Sequence, residues 1–69
     1  MPIANYSPVR LLTDRFRDKG LETGAIGYVI EVYPNGDYEV EFSEPASGIT
    51  IAQVVAKEGE LEALPASAG

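Results

Sequence analysis

Two runs rich in β-branched and aromatic residues, Ile26 to Tyr33 and Asp37 to Phe42, flank the tripeptide Pro34-Asn35-Gly36. This stretch constrains the fold more than any other. The length of the turn dictates which residues oppose each other and so which side of the pair is apolar. Asn-Gly alone favours a two-residue type I′ turn. That turn would set Tyr33 against Tyr38 and place Glu31 on the face of Val29, Val40 and Phe42. It would also leave Pro34 where a backbone N–H is needed. A loop of Pro34, Asn35 and Gly36 removes both conflicts. Pro34 supplies the φ of the first turn position, Asn35 takes the second, and Gly36 takes the left-handed bulge position. The expected register opposes Val32 to Tyr38, Ile30 to Val40 and Tyr28 to Phe42, which makes one face apolar. Val29, Glu31, Glu39 and Glu41 occupy the other.

A chain of 69 residues makes one domain and buries only roughly 60% of the surface that its unfolded form exposes. Nearly every large apolar residue must therefore serve the core, and Ile30, Val32, Val40, Phe42, Ile51, Leu61 and Leu64 are expected there. Cysteine and histidine are both absent. That removes disulfides, thiolate metal sites, the commonest zinc ligand and the usual general base. The expectation is a protein without catalytic residues, metal or cofactor, in a reducing compartment. Five basic residues against eleven acidic ones give a net charge of −6. Such a surface disfavours nucleic acid and anionic membrane and favours a basic protein partner. No apolar run has the length of a membrane span, and Met1-Pro2-Ile3-Ala4-Asn5 lacks the pattern of a secretory signal. The chain reads as cytoplasmic.

In chain order, residues 1–8 form a lead-in with two prolines, with Tyr6 expected over one end of the fold. Val9 to Arg17 reads as a first strand with Leu12, Asp14 and Phe16 on one face; a short helix is the alternative. Asp18 to Ala25 is a connection in which Leu21 plugs the core. Gly27, at a strand start, signals a bulge or a close backbone approach. Ser43 to Gly48 is a turn, Ile49 to Ala56 a fourth strand, Lys57-Glu58-Gly59 a short turn and Glu60 to Leu64 a last strand. Residues 65–69 are a small-residue tail. Five short strands on short connections, spanning residues 9–64, predict an all-β, strongly bent small barrel.

The run Gly20-Leu21, Gly24-Ala25-Ile26-Gly27-Tyr28-Val29, Glu31-Val32-Tyr33, Gly36 and Tyr38-Glu39-Val40-Glu41-Phe42, closed by Glu60-Leu61-Glu62-Ala63-Leu64, resembles a family of small bacterial domains that carries only an unknown-function label. The likeness covers Leu12 to Leu64 and implies a five-stranded SH3-like barrel. More loosely, the Gly-rich strand start and the Tyr-Glu-Val-Glu-Phe strand are similar to SH3-like pieces of KOW domains, of the nitrile hydratase β-subunit and of a small photosystem I subunit. Such likenesses concern fold rather than function. Members of the nearer family often occur as short stand-alone chains, and some look like partners of toxin-type proteins. The resemblance implies an antitoxin-like or accessory-subunit role, with no catalytic residue set.

Three residues stand out as candidates for partner binding: Glu31, Glu39 and Glu41, projecting from one hairpin face. Glu31 and Glu39 are expected to be direct cross-strand neighbours, an arrangement that costs stability. A solvated acidic face is the plain interpretation, a docking surface for a basic protein the sharper one. Arg15 and Arg17 would share a strand face able to hold a carboxylate or phosphate. Tyr28, Tyr33, Tyr38, Phe16 and Phe42 are expected in the core or at the barrel rim; an aromatic peptide groove like that of eukaryotic SH3 domains is the sharper alternative, opposed by the need for two of the tyrosines inside so small a barrel. The leading expectation is a non-catalytic protein-interaction module; the alternative is a KOW-like nucleic-acid-associated module.

Overall fold

The hairpin turn takes the expected form. In a computed structural model, which describes residues 3–65, the Gly36 N–H donates to the Tyr33 carbonyl at 3.0 Å and the Tyr33 N–H to the Asp37 carbonyl at 2.9 Å. Gly36 sits at φ +93°, the left-handed position that favours glycine. The Asp37 N–H donates to Asn35 Oδ1 at 3.0 Å, so the turn holds its own polar groups. Around this hairpin the chain forms β1 (Pro8–Leu11), β2 (Ile26–Val32), β3 (Asp37–Ser43), β4 (Thr50–Lys57) and β5 (Leu61–Ala63). Turns of 3₁₀ helix lie at Arg17–Lys19 and Glu58–Glu60. All pairings are antiparallel in one sheet of order β4-β3-β2-β1-β5. The fold is all-β, as expected. β4 and β5 end the ladder without pairing to each other, so the sheet is not closed into a barrel.

Beyond the turn the register departs from the expected one. Val32 opposes Tyr38 as expected, but Val29, not Ile30, opposes Val40, and Gly27, not Tyr28, opposes Phe42. A bulge at Ile30, between Val29 and Glu31, supplies the extra residue. Val29 is fully buried, Ile30 half-buried and Tyr28 exposed. Two observations account for the shift. A Cβ on Gly27 would lie 2.7 Å from the Phe42 ring and from the Glu41 carbonyl, so the ring packs on bare backbone. The lead-in also clamps Val29: the Tyr6 N–H donates to its carbonyl at 2.6 Å, and its own N–H donates to the Ser7 carbonyl at 3.1 Å.

The fully buried side chains are Val9, Leu11, Leu21, Val29, Val40, Phe42 and Tyr38, joined by Ile3, Phe16, Val54, Ala56 and Leu61. Leu21 plugs the core as expected. Of the expected core, Val40, Phe42 and Leu61 are buried, and Val32 packs partly buried against it. Ile30 and Leu64 are only half-buried. Ile51 is exposed, because Ser43 pairs with Thr50 and Phe42 with Ala52, which leaves Ile51 as the extra residue of a second irregularity.

The lead-in is more tightly tied than its prolines suggest. Ile3 is buried, and its N–H donates to the Tyr38 hydroxyl at 2.9 Å, which satisfies a phenol inside the core. Tyr6, expected over one end, is instead 75% exposed. The first strand stops at Leu11 and does not run to Arg17. The Leu12 N–H turns to the Glu60 carbonyl at 2.8 Å, and the chain leaves the ladder. Leu12 and Asp14 are exposed while Phe16 is buried, so the three do not share a face. The alternative helix amounts to the single 3₁₀ turn at Arg17–Lys19. Residues 1–2 of the lead-in and 66–69 of the tail lie outside the described residues.

Candidate interaction face

Strand alternation sends Tyr38, Val40 and Phe42 of β3 inward and Asp37, Glu39, Glu41 and Ser43 outward. The turn, through the adjacent Val32–Tyr38 pair, sets Glu31 on the same outer side, directly opposite Glu39. Glu41 lies between Tyr28 of β2 and Gln53 of β4, and Glu39 is flanked by Val55. The hairpin thus carries Glu31, Glu39 and Glu41 together, as its alternation predicts.

The surroundings of the three differ. Glu39 accepts hydrogen bonds from the Tyr33 hydroxyl and, at 2.5 Å, from Gln53 Nε2. The Gln53 bond first, then the Tyr33 bond, holds its carboxyl below the ordinary carboxylate range. In return the Tyr33 hydroxyl is pushed up, chiefly by its bond to Glu39. Glu41 Oε2 accepts from Thr50 Oγ1 at 2.6 Å. These donors fix two carboxylates and offset part of the repulsion from Glu31, which is exposed.

Cations are spent elsewhere. Arg10 Nε contacts Glu62 Oε1 at 3.1 Å, Arg15 grips Glu60 through bonds of 2.7 and 2.8 Å, and Lys57 Nζ lies 3.9 Å from Asp37 Oδ1. Arg17 and Lys19 lie in the exposed 3₁₀ turn. Among the described residues, no salt bridge reaches Glu31, Glu39 or Glu41. Arg15 and Arg17 do not form the shared strand face expected of them, since the strand ends before either. Arg15 instead joins Glu60 and stacks over the Phe16 ring at 4.3 Å.

Next to the carboxylates lies an open groove of about 430 Å³, lined by Ile26, Tyr28, Ser43, Glu44, Pro45 and Gly48. The expected register hid this feature by assigning Tyr28 to the apolar inner side. The signal available in sequence was Gly27, whose close approach to β3 leaves Tyr28 no inward place. Among the described residues, no group of three or more acidic side chains is arranged to hold a metal ion, and no helix is long and apolar enough to cross a membrane.

The family model of DUF4926, a domain of unknown function, matches residues 6–63. The chain belongs to this family. The match begins at Tyr6, in the segment that clamps Val29, and runs to Ala63 at the end of β5, so the family unit includes every strand described here. No match was found among curated proteins or among solved structures.

Proposed function

We propose that this domain is a non-catalytic interaction module that binds a basic protein through the outer face of its hairpin, in an antitoxin-like or accessory-subunit role. The observation that carries this reading is the charge arrangement of the sheet. Arg10, Arg15 and Lys57 each have a carboxylate partner, and among the described residues no salt bridge reaches Glu31, Glu39 or Glu41, which share a face. Like charges held in cross-strand register cost stability, and a basic partner would relieve that cost. We propose an SH3-like scaffold whose sheet is open between β4 and β5. It is supported by the strand order, with β1 between β2 and β5, and by the 3₁₀ turn that leads into β5.

The test compares wild type with the Glu31→Gln, Glu39→Gln, Glu41→Gln triple variant in surface binding to the co-purifying protein and to RNA, at two salt concentrations. Steering by this face predicts association with the protein that slows with salt and slows again in the variant. Unchanged kinetics in the variant would reduce the face to solvated surface. Binding to RNA in preference to protein would favour the KOW-like alternative.

A further inference from the structure

The outer face continues past its carboxylates. Tyr28 stands directly across from Glu41, and Ile26 and Tyr28 remain 45% and 55% exposed. Both line the groove beside Ser43, Glu44, Pro45 and Gly48. Single exposed apolar side chains need no explanation; two that alternate along one strand into a shared groove do. The groove is held open from both sides. Gly27 is pressed on Phe42 and the Glu41 carbonyl, so β2 cannot slip to bury Tyr28. The opposite wall is a tied turn: the Glu44 N–H donates to the Ile49 carbonyl at 2.8 Å, the Gly48 N–H to the Glu44 carbonyl at 2.8 Å, and Ser47 Oγ to Glu44 Oε1 at 2.7 Å.

Acidic charge predominates beside this groove. Glu44 forms part of its wall, and Glu41, Glu39 and Glu31 follow along the sheet. The nearest cation by register is Arg10, opposite Ile26, and its guanidinium contacts Glu62 on the far strand. We propose that the groove receives a large apolar side chain of a basic protein segment, whose flanking Arg or Lys residues lie on Glu44 and on the Glu41–Glu31 row. The inference rests on the interaction reading above and adds the apolar anchor to it. The carboxylates set the sign of the partner, and Ile26 and Tyr28 set what stands between its charges.

Three capped pentapeptides test it: a central phenylalanine with two arginines on each side, the same with central serine, and the phenylalanine peptide with glutamates for arginines. Each is titrated into isotope-labelled protein while backbone amide shifts are followed. The arginine–phenylalanine peptide is expected to move the amides of Ile26, Tyr28 and Gly48 and to bind about tenfold more tightly than the serine peptide, the effect of burying one apolar side chain. Tyr28→Ser and, separately, Ile26→Ser should shrink that preference while leaving the serine peptide unaffected. Both positions are outward-facing, and amide dispersion confirms that each variant is folded. Equal affinity for the phenylalanine and serine peptides, with shifts confined to the carboxylate row, would overturn the groove and leave the acidic face standing. Failure of both basic peptides to bind would overturn the two together. Equal binding of the acidic phenylalanine peptide would overturn the choice of a basic partner.

Discussion

At the scale of single residues, position 27 and its neighbours carry the register. A Cβ at Gly27 would meet backbone as well as ring, with the Glu41 carbonyl and the Phe42 Cδ1 both 2.7 Å away, so the strands would have to part. Gly27→Ala should therefore destabilise by about 1–3 kcal/mol, the usual range for overpacking, read as a fall in the urea midpoint at unchanged slope. Val29 and Ile30 provide the second test. Both are β-branched and adjacent, yet Val29 is fully buried and Ile30 half-buried on the bulge. Val29→Ala should cost about 2 kcal/mol through lost burial, and Ile30→Ala clearly less, although it removes more atoms. The reverse order in denaturant melts would restore the unbulged register, with Ile30 inside.

Among the elements, β4 poses the hazard of an open edge. It runs from Thr50 to Lys57 without a charge before its last residue, and among the described residues only β3 pairs with it. The Arg15–Glu60 pair covers the end of that edge. Arg15 Nη2 donates to the Val55 carbonyl at 3.4 Å, and Glu60 Oε1 accepts the Lys57 N–H at 2.9 Å. One ion pair thus ties the β1–β2 connection, the β4 edge and the last 3₁₀ turn together. The Arg15 hydrogen bond, assisted by the Lys57 N–H and opposed by burial, lowers the Glu60 carboxyl from 4.5 to about 2. A carboxyl lowered on folding contributes its full stability above the unfolded value and loses it as pH falls through the folded one. Wild type should therefore exceed Glu60→Gln in thermal midpoint above about pH 5. The gap should close as pH falls from about 4.5 toward about 2. A gap that is constant with pH would mean that the glutamate acts through shape alone.

For the molecule as a whole, the net charge of −6 is distributed unevenly, with the outer hairpin face carrying three carboxylates that no salt bridge reaches among the described residues. Self-repulsion of this kind weakens the compact state and is screened by salt. Added sodium chloride should raise the thermal midpoint of the free domain. Glu31→Gln should raise it at low salt and reduce its salt dependence, since that side chain faces Glu39 across the ladder. Glu39→Gln should lower it at low salt, because it replaces an ionised acceptor that Tyr33 and Gln53 both serve. Melting curves of the two variants at low and high salt separate these outcomes. Equal responses would mean that the hydrogen bonds around Glu39 do not distinguish it from Glu31.

Turn chemistry is local, and so the Pro34-Asn35-Gly36 loop, the Val32–Tyr38 pair, the number of strands and the all-β class were all legible in the chain. The shared face of Glu31, Glu39 and Glu41 was legible too, because alternation carries Glu39 and Glu41 along β3 and the turn sets Glu31 against Glu39. Leu21 as a plug followed from one large apolar residue between two turns. The bulge at Ile30 was not legible. Val29 and Ile30 are equally apolar and β-branched, so alternation cannot say which faces inward. That choice belongs to contacts distant in sequence: the Phe42 ring against Gly27, and the backbone of Tyr6 and Ser7 against Val29. The burial of Ile3, the exposure of Ile51, the end of β1 at Leu11 and the groove beside Tyr28 arise in the same way. Each depends on which strand lies alongside, and a residue's own neighbours in the chain do not contain that information.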